Sequence, residues 1–196
     1  MTWKHGSPDE LNLVARSRQH DHEAFGQLIE RYADQIYNLA CRMVGEHSET
    51  QDLVQETFLA AYRALPDFRA DARFSTWLYR IAINKCKDWL RTHPRRQEPF
   101  ESPRDKGESV LEIGVIADES TPEQELAQRE IAMHLERAIQ ALPKLYQEAF
   151  VLKHIEGLSY EEMSNILGVA RDTLKMRVYK ARTLLCRQLT WLKDER

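Results

Sequence analysis

The chain has 196 residues, of which 42% are hydrophobic and 30% are charged, and its formal net charge is −3. This composition excludes a disordered chain, and a content of only seven glycines argues against a turn-rich β protein. No stretch approaches the roughly 18 uninterrupted apolar residues of a membrane span, and the N-terminus lacks a signal-peptide core, so we expect a cytoplasmic protein without membrane insertion.

Apolar residues recur at helical spacing in the first half of the chain. The pattern predicts helices over about 23–45, 48–65 and 74–91, with a short additional helix near 9–20. Gly45 and Pro66 stand where the first two of these helices should end. We expect these helices to form one compact domain.

Between Thr92 and Thr121 the helical periodicity disappears. The segment is rich in proline and charge and is too long for an ordinary loop, which indicates a linker between domains. Helical patterns return at Thr121, with a capping box and Pro122 at the first helical position, and predict helices over about 122–142, 144–156, 159–167 and 171–192. The predicted fold is all-α, with two small helical domains over 1–91 and 122–196 joined by a flexible linker over 92–121.

The last two predicted helices have the pattern of a helix-turn-helix. A capping box, Ser159 to Glu162, begins the first, and the second carries six bases and one acid between Arg171 and Arg187. An ordinary solvated helix is the alternative, and the local charge of +5 argues against it. The predicted core face contains Leu174, Val178, Ala181, Leu185 and Leu189. The opposite face, expected to enter a major groove, contains Thr173, Met176, Arg177, Tyr179, Lys180 and Arg187.

The helix predicted over 74–91 carries a second polar stripe. Cations with an aromatic and an amide side chain suit opened DNA, where phosphates need neutralising and bases stack. The alternative is a solvated helix face with Trp77 in the core. The stripe consists of Thr76, Arg80, Asn84, Lys87 and Arg91, with Trp77 at its edge.

The helix predicted over 48–65 has the opposite polarity. Glu49, Asp52 and Glu56 share one side with Gln55 nearby, while Leu53 and Leu59 flank them. These features indicate a docking surface for a basic helix of another protein. Taken alone, a solvated face would explain the acids better. The predicted core face consists of Val54, Phe58, Ala61 and Leu65.

The segments Gln51–Phe58 and Phe68–Asn84 resemble domain 2 of sigma factors, and the C-terminal helix-turn-helix resembles domain 4. The resemblance covers nearly the whole chain outside the linker, and on it the chain is identified as a member of the extracytoplasmic-function (ECF) group of the sigma-70 family. It implies an alternative sigma factor that binds core RNA polymerase and directs it to promoters in response to a stress or envelope signal, and not an enzyme.

The resemblance also implies partners and site residues. Core RNA polymerase, through its clamp coiled coil and flap, promoter DNA and an anti-sigma factor are the expected partners of a chain that is monomeric when free. The clamp-binding residues are Glu49, Asp52, Leu53, Gln55 and Glu56. The residues expected at the −10 element are Phe68, Arg69, Arg73, Trp77, Arg80, Asn84 and Lys87. Those expected at the −35 element are Arg171, Thr173, Lys175, Met176, Arg177, Tyr179 and Lys180.

The chain departs from the family pattern at the start of the last helix. Family members often have Ser where Ala170 stands, Gly where Asp172 stands and Ser where Met176 stands. The missing cap should cost about 1 kcal/mol, and an acid beside phosphates puts the usual −35 contacts in doubt at Asp172.

An enzyme and a dimeric repressor are the two alternatives to a sigma factor. An enzyme requires a catalytic constellation or a metal site, and the sequence has no such motif, so we expect no cofactor and no metal. His20 and His22 fit a polar helix entrance better than a metal site, and the three cysteines, Cys41, Cys86 and Cys186, fit buried thiols. A dimeric repressor would explain residues 121–192 but would leave the acidic helix and the Trp77–Asn84 stripe unexplained.

Overall fold

The computed structural model describes residues 7–45, 48–69, 72–93 and 122–189, with side chains from residue 131 onward in the last range. These ranges contain helices and connecting turns and no strand. The described residues form two compact units, the first over 7–93 with 164–168 and the second over 122–163 with 169–189. The all-α class expected from the sequence is confirmed.

The first unit contains four helices, whose bounds lie within a few residues of those predicted. α1 spans Pro8–Ser17, α2 spans His22–Val44, α3 spans Glu49–Ala64 and α4 spans Phe74–Thr92. A short 3₁₀ turn over Leu65–Asp67 follows α3 and contains Pro66. The short helix near residues 9–20 is therefore confirmed as α1.

Local hydrogen bonds explain where the helices of the first unit begin and end. The Ser7 hydroxyl accepts a bond from the Glu10 amide at 3.2 Å, and the Asp21 carboxylate accepts one from the Ala24 amide at 3.0 Å. Both side chains satisfy amides that a helix start leaves without a partner. Gly45 follows α2 at φ 92°, a conformation that favours glycine, and its amide bonds to the Cys41 carbonyl at 2.8 Å.

The core of the first unit lies around α2, which packs against α1, α3 and α4, while α3 also packs against α4. Cys86 belongs to this core, and burial raises the pKa of its thiol to about 12, so the thiol stays protonated at neutral pH. Cys41 and Cys186 are half-buried. The largest fully buried side chains of this unit are Leu28, Ile36, Leu39, Met43, Leu65, Leu78, Ile83 and Leu90.

The remaining helices are α5 over Pro122–Ala141, α6 over Lys144–Phe150, α7 over Tyr160–Leu167 and α8 over Arg171–Gln188. In the second unit α8 packs against α6 and, less extensively, against α5. The end of α8 at Gln188 is earlier than predicted, and the predicted residues 190–192 lie outside the described residues.

The predicted helix over 144–156 is not α-helical throughout. After Phe150 the chain widens into a π-helical turn over Val151–Ile155, and the Glu156 amide bonds to the Val151 carbonyl at 3.0 Å. The wider turn accommodates a run of apolar side chains from Ala149 to Leu152, all of which are buried. Gly157, the predicted stop, follows at φ 67°.

The capping box predicted at Ser159 is present before α7. The Ser159 amide donates to the Glu162 carboxylate at 2.9 Å, and the Glu162 amide donates to the Ser159 hydroxyl at 3.2 Å. Gly168 ends α7 at φ 67°, and two residues later α8 begins. This sequence of short helix, tight turn and longer helix is the arrangement that the helix-turn-helix pattern predicted.

Candidate protein-docking and nucleic-acid interfaces

An acidic strip runs along the solvent side of α3. We use this name for Glu49, Asp52, Gln55 and Glu56, all of which are exposed. Their spacing of three and four residues places them on neighbouring turns of one helix face. Leu59 lies one turn beyond Gln55 on the same side of α3. It is 55% exposed, so it adds a large apolar area to this surface.

Leu53 does not belong to this surface. The sequence placed it beside Leu59 as a flanking contact for the polymerase, but its side chain is only 6% exposed and forms part of the core. Val54, predicted to be core, is half-buried instead. The core face of α3 is therefore rotated toward Leu53, so the expected exposed flank of the acidic strip is formed by Leu59 and not by Leu53.

Glu56 of the acidic strip forms an ion pair with a lysine of α4. The Lys85 ammonium of α4 lies 2.9 Å from the Glu56 carboxylate, and the two side chains are 33% and 58% exposed. An ion pair this exposed stabilises a protein by about 0 to 1 kcal/mol. A cationic partner can therefore displace Lys85 at little cost.

An apolar groove of about 460 Å³ lies between α2 and α3 and borders the acidic strip. Gln55 and Leu59 belong to both features, so the charged and apolar parts form one continuous surface. At the rim, the Tyr62 hydroxyl lies 3.2 Å from His22 Nδ1. The groove could not be predicted from the sequence, because its lining residues come from two helices that are separated along the chain. The lining residues are His22, Phe25, Ile29, Ala33, Val54, Gln55, Phe58, Leu59 and Tyr62.

The predicted polar stripe of α4 is largely on the surface. Arg80, Asn84, Lys87 and Arg91 are exposed, at intervals of three and four residues along one helix face. Thr76 is the exception, since it is only 3% exposed and its hydroxyl has no hydrogen-bond partner among the described residues. We call the four exposed residues the basic face of α4: Arg80, Asn84, Lys87 and Arg91.

An aromatic cluster anchors the loop that precedes α4. The Phe68 ring lies 5.0 Å from Trp77 and 6.1 Å from Phe74, and Phe74 lies 5.6 Å from Trp77. Phe68, which the sequence places among the −10 residues, is only 6% exposed, and its ring is part of the core of the first unit. Trp77 is half-buried at the edge of the cluster. In the same loop Arg69 is exposed and Arg73 is half-buried, while residues 70 and 71 lie outside the described residues.

The solvent face of α8 carries most of the residues predicted to contact duplex DNA. The predicted core face is confirmed, since Leu174, Val178, Ala181, Leu185 and Leu189 are all buried. Met176 and Tyr179 are among the most exposed large apolar side chains of the described chain, which suits contacts to bases and sugars better than contacts to water alone. The exposed predicted residues are Arg171, Thr173, Lys175, Met176, Tyr179 and Lys180.

Arg177 differs from its neighbours on α8. Its side chain is 18% exposed, and its guanidinium donates a hydrogen bond at 3.3 Å to the carboxylate of Glu148, whose side chain is 3% exposed. Removing one member of a buried ion pair costs about 3 to 5 kcal/mol, because the other charge is left without compensation. The sequence analysis missed Glu148. An acid directly before the apolar run Ala149–Leu152 was the available signal.

Asp172, the acid within the basic helix, is neutralised locally. The Lys175 ammonium lies 3.0 Å from its carboxylate, and the hydrogen bond from Lys175 holds the pKa of Asp172 below its usual value. Both side chains are exposed, so the pair can open when a phosphate competes for Lys175. The doubt raised by this acid therefore concerns Lys175 in particular.

The N-cap position of α8 lacks a capping side chain. Ala170 has φ −58° and ψ 142°, a conformation that a serine cap also adopts, but no side-chain bond reaches the first turn. We expect Ala170→Ser to stabilise the second unit by about 1 kcal/mol. Urea unfolding would measure the gain in stability, and hydrogen exchange of the Thr173 amide should become slower. Ala170→Val adds a side chain without an acceptor and should give no gain, so equal effects of the two substitutions would contradict a capping role.

Metal sites and membrane-spanning helices are both absent from the part of the chain that the structure describes. Within the described ranges, no group of three or more His, Cys, Asp or Glu side chains could hold a metal ion. Across the same ranges, every helix is too short or too polar to cross a membrane.

Comparisons with known proteins identify the family of the chain. Residues 28–96 match the family model of sigma-70 region 2, and residues 132–185 match that of sigma-70 region 4. The chain is 36% identical over 180 residues to the RNA polymerase sigma-H factor of Pseudomonas aeruginosa, covering 92% of this chain and 93% of the relative. It is also 36% identical over 170 residues to the ECF RNA polymerase sigma-E factor of Escherichia coli K12, covering 87% and 88%.

Two solved structures are similar to this chain in fold. The structure of CnrH in complex with the cytosolic domain of CnrY aligns with a TM-score of 0.68 and 28% identity, covering 93% of this chain and 97% of that chain. The sigma factor RpoE of Bartonella quintana, solved with the anti-sigma factor NepR, aligns with a TM-score of 0.61 and 24% identity over 85% of this chain and 96% of that chain, which shows the shared fold. With two region models matched in order and full-length relatives above a third identical, the chain belongs to the ECF sigma factors of the sigma-70 family.

Proposed function

We propose that the two units of this sigma factor divide promoter recognition between them, the first binding core polymerase and the −10 element and the second binding the −35 element. The observation that carries this proposal is the opposite charge of two adjacent helices in the first unit. The exposed acids of α3 suit a basic protein surface, while the basic face of α4 suits DNA. A sigma factor has to hold both partners at once, and it does so as a non-enzymatic subunit.

For core polymerase, we propose that the clamp coiled coil contacts the acidic strip and Leu59. Asp52 and Glu56 would pair with cations of the coiled coil, and Leu59, together with the adjoining groove, would accept apolar side chains. This mixture of a desolvated apolar centre and a charged rim is typical of protein interfaces. The flap of the polymerase is the proposed partner of the second unit.

For the −10 element, we propose that Arg69, Arg73 and the basic face of α4 bind the opened strand. A base that leaves the stack costs a few kcal/mol, so a receiving surface must return that energy through stacking and hydrogen bonds. Trp77 at the edge of the aromatic cluster offers a stacking surface, and Asn84 offers both a donor and an acceptor. Phe68 contributes by holding the loop rather than by contact.

For the −35 element, we propose that α8 enters the major groove of duplex DNA. Lys180, Lys175 and Arg171 would bind phosphates, while Thr173, Met176 and Tyr179 face the bases. The apolar face of α8 is buried, and α8 packs against α6, which leaves these side chains on the exposed side of the helix.

We propose domain boundaries at 1–91 and 122–196, with a linker over 92–121. Limited proteolysis of the free protein should cut first between about Arg95 and Glu119, because periodic apolar patterns exist on both sides of this stretch and not within it. Trypsin followed by mass spectrometry should yield two resistant fragments. First cuts inside α2 or α8, with residues 95–119 protected, would contradict these boundaries.

The remaining parts of the proposal follow from the partners. Core polymerase and promoter DNA place the protein in the cytoplasm, and it is monomeric when free of them. An anti-sigma factor is a further proposed partner, since the sigma factor RpoE of Bartonella quintana, which shares this fold, was solved with the anti-sigma factor NepR. A stress or envelope signal would release the chain from such a partner.

A transcription assay tests the proposed function as a whole. The purified chain should comigrate with core polymerase and allow it to start transcripts at defined positions on genomic fragments that core polymerase alone does not use. Transcript mapping after overproduction would supply those fragments. Comigration without initiation, or duplex binding without polymerase, would favour a conventional repressor instead.

A further inference from the structure

Arg177 and Glu148 form the most buried ion pair that the structure describes between two helices. Glu148 lies on α6 with its side chain 3% exposed, and Arg177 lies on α8 with its side chain 18% exposed. Each described α8 cation that was predicted to contact the −35 element, other than Arg177, is exposed. A charge turned inward on a DNA-facing helix needs its own explanation.

The position of Arg177 on the helix accounts for its direction. At about 100° per residue, Arg177 stands about 60° from Leu174, which is at the centre of the buried face, and about 20° from Leu184, which is also buried. The side chain therefore starts at the edge of the packed face. From there its guanidinium reaches Glu148 Oε1 at 3.3 Å across the contact between α6 and α8.

The chemistry of the pair argues against a second role in DNA binding. A guanidinium that leaves Glu148 for a phosphate would give up a charge-assisted hydrogen bond to a carboxylate that water hardly reaches, and breaking a buried ion pair is strongly unfavourable. The exposed pair of Lys175 with Asp172 carries no such restriction, because water can solvate the acid that remains. Arg177 is thus bound to the protein interior in a way that Lys175 is not.

From this contrast we infer that Arg177 and Glu148 are positioning residues for −35 recognition: their ion pair sets the rotation and height of α8 on α6, and neither side chain contacts DNA. The inference rests on the proposed role of α8 at the −35 element. Bases are discriminated by side chains placed within hydrogen-bond distance, so a small displacement of α8 lowers affinity for the matched sequence. Affinity for unmatched DNA depends on charge alone and should change less.

The test uses the full-length chain and a duplex selected by the wild-type protein from a randomised pool. Glu148→Gln, Arg177→Gln and the double variant are compared with wild type by fluorescence anisotropy, at a temperature where circular dichroism shows every protein folded. We expect each single variant to bind the selected duplex about tenfold more weakly, and the double variant to be no weaker than the singles, because two residues in contact are not additive. The slope of log affinity against log salt should stay unchanged, and selection repeated with Arg177→Gln should recover the same bases.

Other outcomes are informative in different ways. If Arg177 contacts DNA, Arg177→Gln should lower the salt slope by about one unit or relax one base position, while Glu148→Gln should leave binding equal or stronger. If the pair only stabilises the fold, the variants should unfold at lower temperature with affinity unchanged. Either result overturns the inference.

A control separates this inference from the function on which it rests. Lys180→Ala, on the exposed face of α8, should weaken binding and lower the salt slope. If Lys180→Ala has no effect, α8 does not bind the −35 element and the proposed function fails. If Lys180→Ala acts as expected and the Glu148 variants bind normally, only the positioning role fails.

Discussion

Reversing both charges at Asp52 and Glu56 to lysine should abolish binding to core polymerase while the first unit stays folded. Both side chains are exposed on α3, so the substitutions remove no core contact. Two like-charge contacts in place of two attractive ones cost several kcal/mol, which corresponds to roughly 100-fold or more in affinity. Native gel mobility and a fluorescence titration with labelled core polymerase would measure the loss.

The ion pair with Lys85 calls for two further variants. Glu56→Lys also places two cations together, so a combination of Glu56→Lys with Lys85→Glu restores the internal pair while keeping the reversed charge on α3. Glu30→Lys with Asp34→Lys gives the same change in net charge on the exposed side of α2. Loss of binding in the α3 variants and not in the α2 control would support the docking surface, whereas wild-type affinity of Asp52→Lys/Glu56→Lys would refute it.

The second large effect concerns promoter opening. Asn84→Ala combined with Arg69→Ala should impair open-complex formation at the −10 element by roughly 10-fold to 100-fold, because the few kcal/mol spent on extruding a base are no longer returned. Permanganate reactivity of thymines near the start site reports melting separately from binding. Binding of the −35 duplex should survive.

The choice of substitutions follows from the aromatic cluster. Phe68 is excluded because its removal would open a cavity and unfold the loop for reasons unrelated to DNA. Asn38→Ala, an exposed asparagine on α2, is the matched control for Asn84→Ala. If the Asn84 and Arg69 variants melt promoters as well as wild type does, the first unit is not responsible for opening DNA.

Helix positions could be predicted from the sequence because their signals are local. Gly45, Pro66 and the Ser159 to Glu162 capping box act within one or two turns of the chain. α2 and α3 end near the first two, and α7 begins at the third. The π-helical turn after Phe150 could not be predicted in the same way. A run of four apolar residues fits several helical geometries, and the packing of α6 on its neighbours selects one of them.

The burial of individual side chains was predicted incorrectly where it depends on residues far away in sequence. Leu53 and Val54 differ by 100° on the helix, and either can face the core until the position of α2 is known. Arg177 looked like its exposed neighbours because its partner, Glu148, is 29 residues away on another helix. Side chains at the edge of a predicted face are therefore the ones that sequence periodicity assigns least well.

The ion pair between Lys85 and Glu56 has a kinetic consequence. Lys85 partly cancels the field of the acidic strip at a distance, where an approaching partner senses summed charge rather than individual side chains. At contact the same lysine is displaced easily, since the pair is exposed. The lysine therefore slows the diffusional encounter with cationic surfaces in general, yet takes little from the final complex.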